Sequence, residues 1–202
     1  AGVDPDAFRP TPLPPATPLR VAIVARMLWS KGIDVAVEAV RLARAGGTAV
    51  ELSLHGAPDP SNPRAVTEAQ LRSWSAEPGI AWHGPTRDAA AVWRDHACCC
   101  LPSRGGEGLP RTLLEGAACG RAIVTTDVPG CRRLVRDGVE GLLVPPGDAA
   151  ALATAFRRLA SDPSVVARMG EAARSRVLDG FTEEAVGRQV AALHAAMLDG
   201  RA

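Results

Sequence analysis

Residues 19–55 read LRVAIVARMLWSKGIDVAVEAVRLARAGGTAVELSLH, and the order of patterns within them decides the fold class. The β-branched apolar run at 19–25 has the make-up of a buried strand. Residues 32–45 switch to helical spacing through Val35, Val37, Val40 and Leu42, and Gly46-Gly47 ends that helix. Residues 50–55 return to a strand. Working outward, the alternation continues. A loop holding Gly56, Pro58, Pro60 and Pro63 leads to a helix at 65–75, a strand at 80–83, a helix at 88–95 and a strand at 97–101. A helix at 110–119 follows, then strands at 122–126 and 141–144 flanking a short helix at 132–136. Three helices, at 148–160, 163–178 and 182–198, close the chain. Strands alternating with helices over short connections build a parallel sheet covered on both faces. Six such strands predict one doubly wound, Rossmann-like α/β domain over residues 19–202. Residues 1–18, rich in Pro, read as an extended linker or tail.

Composition narrows the function classes. The chain has 202 residues, enough for a full core, and 47% of them are hydrophobic. Aromatic residues make up only 3% and Tyr is absent, so base-stacking platforms for single-stranded nucleic acid are not expected. With 23 basic against 22 acidic residues the net charge is +1, which argues against nucleic acid as a partner. No apolar run approaches the roughly 18 residues that span a bilayer, and no signal segment opens the chain, so a soluble, cytoplasmic protein is expected. Three of the five cysteines are consecutive, Cys98 to Cys100. Neighbouring side chains on a strand alternate faces, so these three cannot converge on one metal, and a buried reduced strand is expected.

In such a sheet, ligands bind where loops leave the carboxyl ends of strands and enter helices. The richest of these loops is PSRGGEGLPRTLLEGAACG, residues 102–120. Gly105, Gly106 and Gly108 allow close backbone approach. Pro110, placed as the first helical residue, lacks an N–H, so the leading donors are the amides of Arg111 and Thr112. With the helix dipole they form a cradle for an anion such as a diphosphate. Glu107 and Glu115 have seven residues between them. One carboxylate can face a sugar while the other accepts from a ribose diol, because a carboxylate offers two acceptors and no competing donor. The alternative is an Arg111–Glu115 pair one turn apart, with Glu107 a solvated charge. In the turn RMLWSKGID, Arg26 and Lys31 both reach the same crevice and suit a diphosphate, or else form a basic surface turn. No Walker-type phosphate loop, dinucleotide fingerprint or serine-hydrolase elbow is present, which weakens those readings.

Together these segments resemble the C-terminal domain of the family 4 glycosyltransferases, a retaining group with the two-domain GT-B fold. Gly2-Val3-Asp4-Pro5 with Phe8 and Pro10 looks like that family's interdomain stretch. Arg26-Met27-Leu28 with Lys31-Gly32 looks like its phosphate-binding segment, and Glu107 to Glu115 like its paired-glutamate motif. Residues 122–130, Asp137-Gly138 and Gly141 to Pro146 follow its tail. The runs EGLPR (107–111) and VPGCR (128–132) are similar to transferases of lipopolysaccharide, capsule and other surface glycans, often fed by UDP-sugars. A Glu commonly follows the second run; here the position is Arg133.

The resemblance implies specific roles. Arg26 and Lys31 would neutralise the donor diphosphate as the glycosidic bond breaks, and Glu107 would hold donor-sugar hydroxyls. Glu115 would bind the ribose. Gly106, Gly108, Leu109, Arg111 and Thr112 would line the donor, and the loop 84–87 would receive the base, using Thr86. No cofactor and no protein-bound metal are implied; the nucleoside-diphosphate sugar is a substrate. An N-terminal acceptor-binding domain would be the partner, carrying any membrane association at the inner face. The fragment alone would bind donor without turnover. A stand-alone sugar-nucleotide-binding regulatory module is the alternative. His55, His83, His96 and His194 match no catalytic motif and are expected in core or surface roles.

Overall fold

Side chains along the first strand divide cleanly between two apolar layers, and this division organises the molecule. The computed structural model describes residues 1–106 and 108–198, without the side chains of Ala196 and Leu198. The strands are β1 (Leu19–Val24), β2 (Val50–His55), β3 (Ile80–Gly84), β4 (Cys98–Leu101), β5 (Ala122–Thr126) and β6 (Gly141–Val144). All pair in parallel, in the order β3-β2-β1-β4-β5-β6. The helices are α1 (Ile33–Ala45), α2 (Glu68–Ser75), α3 (Ala89–Asp95), α4 (Arg111–Ala118), α5 (Pro129–Arg132), α6 (Ala149–Ser161), α7 (Pro163–Gly180) and α8 (Glu183–Leu198). A 3-10 turn, Trp29–Lys31, precedes α1.

Leu19, Val21 and Ile23 of β1 join one core with α1, α2 and α6 residues, while Ala22 joins a second core with α3, α4 and α7 residues. The cysteine strand obeys the same alternation. Cys98 and Cys100 lie in the first core and Cys99 in the second, all three fully buried, so they do not converge. The side chains are free thiols, and burial pushes Cys98 up to about 12. Four helices on these faces begin with a side-chain cap. Thr67, Asp88, Asp148 and Asp162 accept from the first-turn amides of α2, α3, α6 and α7, the side-chain capping that short polar residues supply.

Three of the differences from the sequence expectation have a clear local reason. The helix expected from residue 65 starts at Glu68, because Ala65 bridges Leu28 and Thr67 takes the cap. The short helix expected at 132–136 spans Pro129–Arg132, because Pro129 sits at its first turn with φ already set. Pro110 is the N-cap of α4 rather than its first helical residue, with an extended ψ of 124°. The Pro-rich start, expected as an extended linker or tail, is held against the domain at its first residues. Val3 is fully buried, its N–H donates to the Phe181 carbonyl at 3.0 Å, and its carbonyl accepts from Glu183 at 3.0 Å. Among the described residues no helix is long and apolar enough to cross a membrane.

Candidate functional site

The strand order reverses between β1 and β4, so the loops leaving these two strands diverge and open a crevice. These are the two loops whose sequences hold the candidate residues. They are tied together. Gly32, with φ of +71°, approaches so closely that a Cβ would lie 2.0 Å from the Pro102 carbonyl oxygen. Only glycine permits that contact. Across it, the Arg104 amide and the Ser103 hydroxyl both donate to the Ser30 carbonyl, at 2.8 and 3.1 Å. The Arg104 guanidinium grips both oxygens of Asp34 at 2.8 and 2.6 Å, a fork geometry that fixes orientation. From the far side, the buried Thr125 and Thr126 hydroxyls donate to the carbonyls of Leu101 and Ser103 at 2.7 and 2.6 Å.

Lys31 ends the 3-10 turn held in this way. Gly105 and Gly106 take φ of +127° and +71° in the loop beyond, with open space where a Cβ would be. Glu107, expected to hold the donor sugar, lies outside the described residues. Gly108 is exposed, and Leu109 is half-buried against the second core. The Pro110 carbonyl takes the Leu113 and Leu114 amides, at 3.2 and 3.4 Å. That leaves the Arg111 and Thr112 amides at the head of α4, with no carbonyl four residues behind them in the helix. The Thr112 hydroxyl is buried without a hydrogen-bond partner.

One turn on, Glu115 is only 9% exposed and accepts from Arg111 Nε at 2.9 Å. The i,i+4 pair that the sequence left open is therefore formed. Burial raises the Glu115 carboxyl above the usual carboxylate range, and the Arg111 hydrogen bond and charge oppose that shift. A buried carboxylate held by a single exposed arginine is a strong acceptor waiting for further donors.

On the other side of the switch point, Arg26 and Thr86 line one open cleft of about 470 Å3, together with His55, Gly56, Asp59 and Pro85. Its size suits a small-molecule ligand. Arg26 Nη1 lies 3.2 Å from Asp59 Oδ2. The Thr86 oxygen accepts from the Asp88 amide at 3.1 Å. Arg111 faces a separate hollow shared with the first turns of α8. The candidate residues thus flank the crevice on two sides instead of lining a single cavity.

The sequence reading missed the Asp34–Arg104 clamp, the Asp59 contact and a histidine cluster. His55 and His83 stack with ring centroids 4.7 Å apart, and His96 meets His55 edge-on at 6.0 Å. His55 ends β2 and His83 is the last residue but one of the neighbouring β3, so strand ends set side by side were the available signal. Burial, helped by the other two rings, lowers His55 to about 4. Among the described residues no group of three His, Cys, Asp or Glu side chains could hold a metal ion.

The switch-point crevice is flanked by a Gly-rich loop and a cationic turn, and comparison with known proteins shows the family. Residues 18–162 match the family described as Glycosyl transferases group 1, and the chain belongs to that family. It is 35% identical over 203 residues to WcaL of Escherichia coli K12, a glycosyltransferase named for colanic acid biosynthesis, covering 95% of this chain and 49% of that protein. It is 31% identical over 185 residues to the amylovoran biosynthesis glycosyltransferase AmsK of Erwinia amylovora, covering 86% and 44%. The chain spans about half the length of these relatives. Among solved structures, HepE of Anabaena in complex with UDP superposes with a TM-score of 0.83 at 20% identity, covering 96% of this chain and 56% of HepE. The domain therefore has the fold of about half of HepE.

Proposed function

We propose that this domain binds the nucleoside-diphosphate sugar donor, a UDP-sugar, of a retaining glycosyltransferase that builds a surface polysaccharide. The observation that carries the reading is the tie between the β1 and β4 loops at the switch point. It sets the Lys31 turn and the head of α4 at one crevice, with the Arg26–Thr86 cleft beside it. The UDP complex of the structurally similar HepE and the polysaccharide names of WcaL and AmsK support it.

In this reading the base enters the cleft beside Thr86, and the ribose diol donates to the Glu115 oxygen that Arg111 leaves open. The diphosphate lies against the Arg111 and Thr112 amides, with Arg26 and Lys31 as counter-charges. When the bond from the anomeric carbon to the β-phosphate oxygen breaks, its electron pair leaves with the phosphate. Cations and aligned amides already in place stabilise that charge more than they stabilise the ground state. Glu107 holds the sugar hydroxyls. The acceptor arrives on the same face as the departing phosphate, with its proton passing to that phosphate, so the anomeric configuration is kept. The acceptor site belongs to an N-terminal domain that this chain does not include, and the domain alone binds donor without turnover. No protein-bound metal or cofactor enters the scheme.

Calorimetric titration with UDP and GDP tests the reading. UDP should bind more tightly than GDP, and Glu115→Ala should weaken UDP by about tenfold, the value of a charged hydrogen-bond acceptor. Unchanged UDP affinity in Glu115→Ala would remove the ribose role.

A further inference from the structure

The cleft that holds Arg26 also holds its counter-ion. Asp59 lies on the loop after β2, thirty-three residues away, and reaches Arg26 through one contact of 3.2 Å. The carboxylate does not depend on that contact for its position. Its other oxygen accepts from the Ser61 hydroxyl at 2.7 Å and the Ser61 amide at 3.2 Å. The Ser61 hydroxyl, and then the Arg26 charge, hold Asp59 below the usual carboxylate range, so it is ionised at neutral pH. Arg26 is the more exposed member of the pair, with its side chain 65% exposed against 26% for Asp59. A single-contact, solvent-facing pair of this kind breaks at little cost.

From this geometry we infer that Asp59 is a resident counter-ion that competes with the donor diphosphate for Arg26 and thereby speeds release of the nucleoside-diphosphate product. The inference rests on the donor-site reading above. In this structure the arginine lies on Asp59. A diphosphate, with more charge and with the α4 amides behind it, draws the guanidinium away and leaves the anchored carboxylate facing another anion. That repulsion weakens the bound state. When the sugar has been transferred, return of Arg26 to Asp59 offsets the loss of its phosphate contact, and the product leaves. Product release limits turnover in many transferring enzymes, so a built-in competitor has a kinetic use.

Asp59→Asn removes the charge and keeps an oxygen for Ser61. UDP binding to this 202-residue chain should tighten about threefold or more, with the change in the dissociation rate measured by stopped flow. Binding of uridine, which has no phosphate, should not change. Asp59→Glu should return UDP affinity toward that of the parent, and in an Arg26→Ala background Asp59→Asn should give a smaller gain, because only the direct repulsion of the diphosphate is then relieved. If the parent binds UDP while Asp59→Asn binds it equally or more weakly, the counter-ion role is overturned and the donor site stands. An equal gain for uridine likewise overturns it, by placing the effect on the loop. If the parent binds neither UDP nor GDP, the donor-site reading fails and takes the inference with it.

Discussion

His55 shows what a single side chain can reveal once its neighbours are known. Its Nε2 is buried with no hydrogen-bond partner, and it stacks on His83 with His96 at its edge. Arg20, Glu51, Asp88 and Asp95 line the hollow of about 460 Å3 beside the three rings. Burial lowers His55 from 6.5 to about 4, so the folded protein resists a proton that the unfolded chain accepts. The sign follows directly. The unfolded state binds more protons between the two values, so stability is full above about 6.5 and is lost as pH falls toward about 4. With the ring half solvated, the loss expected from His55 is about 1–2 kcal/mol. Urea unfolding at pH 7.5 and pH 4.5 should show this decline, and His55→Gln should flatten it. An equal slope in the variant would assign the pH dependence elsewhere. Little of this was legible in the sequence. Periodicity places His55 and His83 at strand ends, but only the sheet order makes them neighbours. Asp59 was invisible for the same reason, since nothing in a Pro-rich loop says which arginine it meets. Glu115 was legible in both of its guises, as a diol acceptor and as the partner of Arg111, and only the second could be seen without a ligand.

At the scale of elements, sequence and structure agree where a pattern is long and differ where one residue sets a boundary. β2 was expected at residues 50–55 and spans Val50–His55, because it alternates buried and open positions throughout. The four-residue α5 was misplaced by three positions because Pro129, at its first turn, outweighs the arginine-rich run that follows. The candidate site depends on one junction between elements that the sequence does not display. Gly32 reads as a helix start; in three dimensions it is where the β1 and β4 loops touch. Replacing it with Ala forces an L-residue into the left-handed region and drives a methyl into the Pro102 carbonyl. The expected cost is about 3 kcal/mol or more, combining the left-handed penalty with overpacking. The loops would separate, so UDP affinity should fall together with the melting temperature. Gly47→Ala supplies the control, since it shares a positive φ of 82° but meets nothing within 4 Å. It should destabilise less and leave UDP affinity intact. Loss of UDP binding in both variants alike would mean that the junction has no special part in the site.

Over the whole molecule, two arginines decide how the first dozen residues relate to the domain. Arg174 on α7 donates through Nη1 to the carbonyls of Pro5, Phe8 and Ala118 at 3.2, 2.8 and 2.6 Å. Arg121, wholly buried, donates to the Thr11 carbonyl at 2.9 Å and to the Thr11 hydroxyl. Carbonyls take the place of a carboxylate at both cations, most of them from the backbone of the early segment, while Arg121 Nε is buried without a partner. The buried Arg121 and the half-buried Arg174 cannot lose these partners cheaply. The segment therefore moves with α7 and α8, to which Val3 is joined through Phe181 and Glu183. A Pro-rich composition gave no hint of this, because proline reports local stiffness and not what the stiff segment lies against. Arg174→Met keeps the apolar stem and removes three hydrogen bonds. It should cost about 2–3 kcal/mol, the scale for losing charged donors to buried carbonyls. Hydrogen exchange locates the effect. The Val3 amide, which donates to Phe181, should lose more protection than the global change in stability explains. Amides of β1 and β4 should follow the global value alone. If Val3 changes only in step with β1, the segment is held by its buried side chain, and the arginine clamp is not what binds it to the fold.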